Sequence, residues 1–131
     1  MIGDNSWIGE DAWLLNLEPI TIGSNVCISQ SVRLITGSHD RRSPTFEYDN
    51  AAIVVQDGAW IAVGASILRG VVIGFGATVG AHVVAHRDVS PGQIVTLSSV
   101  AGPNSGSLPE ERARTAPRTE RDLEQGPYRD H

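Results

Sequence analysis

Four histidines, His39, His82, His86 and His131, hold most of the acid–base chemistry open to this chain. Histidine has an ordinary pKa of about 6.5, so near pH 7 it is largely neutral and can take a proton. His39 lies in the run Thr-Gly-Ser-His-Asp, where a regular pattern in the chain breaks off. A base at such a break could deprotonate a hydroxyl group, and its other ring nitrogen would need an orienting partner. Asp40 is adjacent, but neighbouring side chains on an extended segment diverge. His82 and His86 stand at i and i+4, which suits one face of a helix, and no third histidine follows unless His39 is recruited. Histidine-held metal sites of that kind take three protein ligands, so no metal is expected. Cys27 is the single cysteine. It excludes an intramolecular disulfide, fits a reducing compartment, and reads as a small packing residue.

The pattern that positions His39 is a repeat of six. Aliphatic residues recur at Ile2, Ile8 and Leu14, then at Ile22, Ile28 and Leu34. After the break they resume at Val55, Ile61, Ile67, Ile73 and Val79, and more weakly at Ala85. A small or β-branched residue usually follows four positions later, as at Val26, Val32, Ala59, Ala65, Ala77, Val83 and Val89. A period of six does not fit the 3.6-residue turn of a helix, and the many glycines would each cost a helix about 1 kcal/mol. The repeat predicts a β-solenoid, with aliphatic side chains stacked inward and small residues where the chain bends. Three hexapeptides make a coil, giving about four coils: 2–19, 22–39, 55–72 and 73–90. Glu18-Pro19-Ile20 absorbs a two-residue slip, residues 40–54 form a loop excursion, and 91–102 can supply a last partial strand. Trp7 and Trp13 precede inward positions and should face outward, for packing between subunits.

Composition agrees. The chain has 131 residues, with 14 glycines and aromatics at 5%, which suits a thin all-β core. All 10 basic residues are arginine and the net charge is −5, which argues against a nucleic-acid surface. No stretch reaches the roughly 18 apolar residues of a membrane span, and the N-terminus lacks the pattern of a signal peptide. A cytoplasmic protein is expected. Residues 1–102 form the predicted domain. From Pro103 to His131 the chain is polar and densely charged, and reads as a disordered tail with at most a turn or two of helix around 109–125.

The phrases ITIGSNVCISQ, VQDGAWIAVGASIL and VVIGFGATVGAHVV resemble the left-handed β-helix hexapeptide-repeat acyltransferases. LLNLEPITIG, followed by TGSHD and a loop, looks like the branch of colanic-acid, exopolysaccharide, maltose and galactoside O-acetyltransferases. The left-handed winding is implied by this resemblance alone. The resemblance implies a homotrimer with active sites between subunits, acetyl-CoA as acyl donor and a saccharide acceptor. His39 matches the family's catalytic histidine. Asn16 lies near the matching corner of the preceding coil, where related enzymes carry a polar residue close to the histidine. Glu18, Asp40 and Tyr48 are candidates for acceptor binding. Trp60, Ala62, Gly64, Gly80 and Ala81 are candidates for the thin pantetheine arm of coenzyme A, which needs small residues. His86 and Arg87 match positions that meet its nucleotide end, with His86 departing from the family's threonine.

The same resemblance implies further coil ahead of Met1, so the first coil is expected to be uncapped. TLSSVAGPNSG replaces the family's glycine–asparagine–proline–alanine segment, so the C-terminal cap is expected to differ. Two other functions compete: a degenerate, non-catalytic trimeric solenoid, and a metal enzyme resembling γ-class carbonic anhydrases.

Overall fold

Each hexapeptide folds as a strand of two or three residues followed by a tight turn. The computed structural model describes residues 1–100. The expected tail at 103–131, with its possible helix, lies outside the described residues. In chain order the strands are β1 (Trp7–Ile8), β2 (Trp13–Leu15), β3 (Ile20–Ile22), β4 (Cys27–Ile28), β5 (Arg33–Ile35) and β6 (Ile53–Val55). They continue as β7 (Trp60–Ile61), β8 (Ser66–Leu68), β9 (Val72–Ile73), β10 (Thr78–Val79), β11 (Val84–Ala85) and β12 (Ile94–Val95). A four-residue helix, α1 (Leu97–Val100), follows. The chain visits three parallel sheets in rotation, β1-β4-β7-β10-β12, then β2-β5-β8-β11, then β3-β6-β9. It therefore winds as a parallel β-helix with three faces. Below, these are the first, second and third faces.

Register follows the aliphatic repeat. Ile8 pairs with Ile28, Ile28 with Ile61 and Ile61 with Val79 on the first face. Leu14, Leu34 and Ile67 stack likewise on the second, and Ile22, Val55 and Ile73 on the third. Ile28, Leu34, Ile61, Ile67 and Ile73 are completely buried. Burying each such side chain stabilises the fold by about 1.5–3 kcal/mol. The residues four positions on, Val26, Val32, Ala59, Ala65 and Val83, are also fully buried or nearly so. They fill the corners as the repeat predicts. Trp13 points outward and is 54% exposed.

Two details of the repeat differ from the sequence reading. Val89 was expected at a corner but bridges Ile73 on the third face. The turn after Ala85 is shorter than a hexapeptide, which brings Val89 inward and lets Val95 stack on Val79. The excursion is also narrower than 40–54. Ile53 and Val54 pair with Ile20 and Thr21, because β-branched residues suit a strand and Ile53 buries its side chain there.

The corners that join the third face to the first, and the first to the second, each place one residue in left-handed backbone. Between the third and first faces that residue is Asn5, Asn25, Gly58, Gly76 or Gly92, with φ from 55° to 73°. Asn and Gly tolerate this region best. Stacking also lets Asn5 Nδ2 donate to Asn25 Oδ1 at 2.8 Å, which links two coils at the surface.

Thr36 holds the slip at 16–19. It is fully buried, its Oγ1 donates to the Leu15 carbonyl at 2.6 Å, and the Glu18 amide donates to it at 3.1 Å. Burial, with a smaller opposing effect from its contact with Ser29, raises the Cys27 thiol above its ordinary pKa. Among the described residues no helix is long and apolar enough to cross a membrane. Thr36→Val removes the hydroxyl at constant volume and leaves the Glu18 amide without its partner. We expect a loss of about 1–3 kcal/mol, read in urea unfolding as a lower midpoint at unchanged slope.

Candidate active site

His39 projects from the corner between the second and third faces, where β5 ends. The chain leaves the prism there and returns on itself as a hairpin. The Ala51 amide donates to the Thr36 carbonyl, Asp49 to Ser38, and Asp40 to Glu47, at 3.0, 2.9 and 2.8 Å. His39 and Tyr48 form an antiparallel bridge within it. Asn50 fixes the root, its Oδ1 accepting from the Ser38 amide at 3.1 Å. Arg69, one coil further on, forms an ion pair with Asp49. The hairpin is thus tied to the prism at its base and along one flank.

This frame sets the imidazole. His39 Nδ1 lies 2.9 Å from the Phe46 carbonyl oxygen. A carbonyl can only accept, so Nδ1 carries the proton. In the neutral ring Nε2 then holds the lone pair. The Phe46 ring stacks on the imidazole, with centroids 4.2 Å apart and planes 9° from parallel. Tyr48 covers it at 4.9 Å and 32°. His39 is exposed, and its Nε2 has no partner among the described residues. The arrangement is an oriented base with its lone pair open to a ligand.

The orienting group is therefore a backbone carbonyl and not a side chain. Asn16 stands at the same corner one coil earlier, exposed, and makes no hydrogen bond to the imidazole. Glu18 is half-buried there, its amide held by Thr36. Asp40 Oδ1 accepts from the Arg42 amide at 2.9 Å and from Arg42 Nε at 3.4 Å. His86 and Arg87 follow β11 at this corner as well, and both are exposed. Asn50 and Arg69 carry no signal in the sequence, and Phe46 and Asp49 read there only as aromatic and charged groups of a loop that could meet an acceptor. The only local hint was aromatic residues alternating at 46 and 48 opposite the histidine.

The remaining candidates gather elsewhere. Ala62 and Gly64 follow β7, and Gly80 and Ala81 follow β10, so all four stack at the corner between the first and second faces. The Ala62 amide donates to the Val79 carbonyl at 2.8 Å, and the His82 amide to Val63 at 2.9 Å, which locks the two coils together. Gly64 has φ +68°, and a Cβ there would lie 2.5 Å from the His82 ring. Gly80 could not take a Cβ without approaching the Val95 carbonyl to 2.9 Å. Trp60 opens this face, its indole Nε1 donating to the buried Ser29 hydroxyl at 3.0 Å. The structure thus divides the predicted site between two corners of one chain. His82 and His86 are divided in the same way, and no group of three or more His, Cys, Asp or Glu side chains able to hold a metal occurs among the described residues.

The repeat and its three-faced winding define a hexapeptide-repeat β-helix. No family model matches the chain. It is 42% identical over 81 residues to a protein of Escherichia coli K12 named as a colanic acid biosynthesis acetyltransferase, WcaF, covering 62% of this chain and 44% of that relative. It superposes with a TM-score of 0.68 on a hexapeptide-repeat acetyltransferase of Vibrio cholerae complexed with acetyl coenzyme A. That match has 37% identity and covers 72% of this chain and 53% of the other. A maltose O-acetyltransferase of Clostridium difficile superposes at 0.58 with 25% identity, over 69% of this chain and 53% of the other. The chain shares the left-handed β-helix fold of the hexapeptide-repeat acetyltransferases and is similar to them in sequence. It spans about half the length of the relatives it matches.

Gly64→Ala combines a side chain in left-handed backbone with a clash against His82. We expect it to cost at least about 1–3 kcal/mol, measured as a lower unfolding midpoint. Ala81→Ser, at an exposed neighbour, should leave stability unchanged.

Proposed function

We propose that the protein is an acetyl-CoA-dependent O-acetyltransferase acting on a hydroxyl of a saccharide or exopolysaccharide precursor. The observation that carries this reading is His39, whose Nδ1 is tied to a carbonyl while Nε2 faces outward. In a ternary complex Nε2 takes the proton of the acceptor hydroxyl as its oxygen bonds to the thioester carbon. The imidazolium then returns that proton to the departing thiolate as the carbon–sulfur bond breaks. No covalent enzyme intermediate is needed, and the gain comes from holding both partners together.

Asn16 is assigned to the catalytic site as a polar contact for the acceptor or the reacting carbonyl, and Glu18, Asp40 and Tyr48 to acceptor binding. The stacked corner at Ala62, Gly64, Gly80 and Ala81 is assigned to the pantetheine arm, with Trp60 beside it. Its glycines leave room for a thin chain to approach the backbone closely. His86 and Arg87 are assigned to the nucleotide end. The solved relative with acetyl coenzyme A bound, and the relatives named for colanic acid and maltose, support the donor and the acceptor class.

Assembly follows from the same geometry. The base and the small-residue corner occupy different edges of one prism, so one chain does not bring them together. A homotrimer that sets the corner between the first and second faces of one subunit against the His39 corner of the next would complete each site.

His39→Ala should lower acetyl transfer by about 10²–10⁴-fold, followed as coenzyme release against a panel of sugars and oligosaccharides. Equal activity in the variant would refute the assignment of the base. No turnover by the unaltered protein with any acceptor would favour a non-catalytic solenoid. Ala81→Arg, at an exposed position, should block the donor arm. Co-refolding inactive His39→Ala with inactive Ala81→Arg should restore part of the activity, since mixed trimers hold some intact sites. A mixture as inactive as its parents would place the whole site within one chain.

A further inference from the structure

We infer that Phe46 and Tyr48 are positioning residues for His39, an aromatic clamp standing where many catalytic histidines have a carboxylate. The inference rests on His39 being the base. Two of the acidic groups near this corner are engaged elsewhere. Asp40 holds Arg42, and Asp49 holds Arg69. Glu47 meets His39's neighbour only through its backbone carbonyl, and Glu18 through its amide. The cations Arg41, Arg42 and Arg87, and His86, are exposed. None of these side chains forms a hydrogen bond, ion pair or ring contact with the imidazole.

Phe46 acts on the imidazole twice. Its carbonyl accepts the Nδ1 proton and its ring lies flat on the imidazole. One residue can do both because its backbone is left-handed, with φ 53°. For a bulky side chain this is an uncommon and costly conformation. The Phe46 amide donates to the Ser43 carbonyl at 3.1 Å, which closes the turn and holds that conformation. Tyr48 covers the ring from the bridged strand position. Stacking prevents the imidazole from turning about χ2, so the proton stays on Nδ1 and the lone pair on Nε2. When the ring gains a proton, the π faces attract the new charge and the carbonyl hydrogen bond becomes charge-assisted.

The test separates ring from backbone. Phe46→Gly suits the left-handed turn and removes the ring. Phe46→Tyr and Tyr48→Phe keep a ring at each place. In the unliganded protein, ¹⁵N shifts of His39 should show the Nδ1–H tautomer alone for the unaltered chain, Phe46→Tyr and Tyr48→Phe. Phe46→Gly and Tyr48→Leu should shift the population toward the Nε2–H form favoured by free imidazole. The same two variants should lower kcat about three- to tenfold with KM for the acyl donor unchanged. A tautomer and kcat in Phe46→Gly equal to the unaltered chain would overturn the clamp. If His39→Ala keeps full activity, the assignment of the base fails, while a tautomer shift in Phe46→Gly would still establish the clamp.

Discussion

The structure depends on one interaction, the stacking of an aliphatic side chain on its counterpart one coil away. Ile28 under Ile61, Leu34 under Ile67 and Val55 under Ile73 make a core that is narrow but continuous. Each such contact also fixes register, because a slip by one residue would turn the inward set out to solvent. Parallel backbone hydrogen bonds then repeat at every rung. The consequence is a rigid prism whose flat faces are nearly invariant in geometry. Variation is concentrated at the corners, and most of the candidate side chains lie there.

Corners differ in what they allow. The one between the third and first faces is occupied by Asn and Gly in left-handed conformation, and serves only to turn the chain. The one between the first and second faces is tighter. Gly64 has no room for a side chain against His82, and Gly80 none against Val95. The corner between the second and third faces is where the repeat loses its length, first through the slip at 16–19 and then through the hairpin. A buried threonine hydroxyl is needed to satisfy the backbone freed by that slip, which is why Thr36 interrupts an otherwise apolar set. Structural irregularity and the open lone pair of His39 coincide at one corner because a regular coil has no place for a projecting, oriented base.

The repeat, the inward residues and the interruption were legible in the sequence because a hexapeptide is a local pattern repeated many times. Ile22 and Val55 needed only their spacing, whereas Ile2, at the same place in the repeat, is half exposed in the first coil. Val89 was not legible, since a shortened turn changes which residue faces inward without changing composition. The limits of the excursion were misjudged for a related reason, as Ile53 and Val54 look the same in a loop as in a strand. The partner of His39 was hidden more deeply. A search for orienting groups scans side chains, and this one is a backbone carbonyl brought round by an antiparallel return. Nothing in the residue type of Phe46 reveals its left-handed backbone.

An aromatic clamp orients the imidazole without an ionic partner. The Phe46 carbonyl fixes which nitrogen holds the proton, and the two rings restrict rotation of the imidazole plane. A base of the kind proposed for His39 needs this orientation, because proton transfer requires the open nitrogen to meet the acceptor hydroxyl. The cost of the arrangement is the strained backbone at Phe46, and the hairpin meets it through the Ser43 turn, the Asn50 anchor and the Arg69–Asp49 ion pair. These contacts involve neither imidazole nitrogen. They bear on the proposed reaction by holding the hairpin that orients His39.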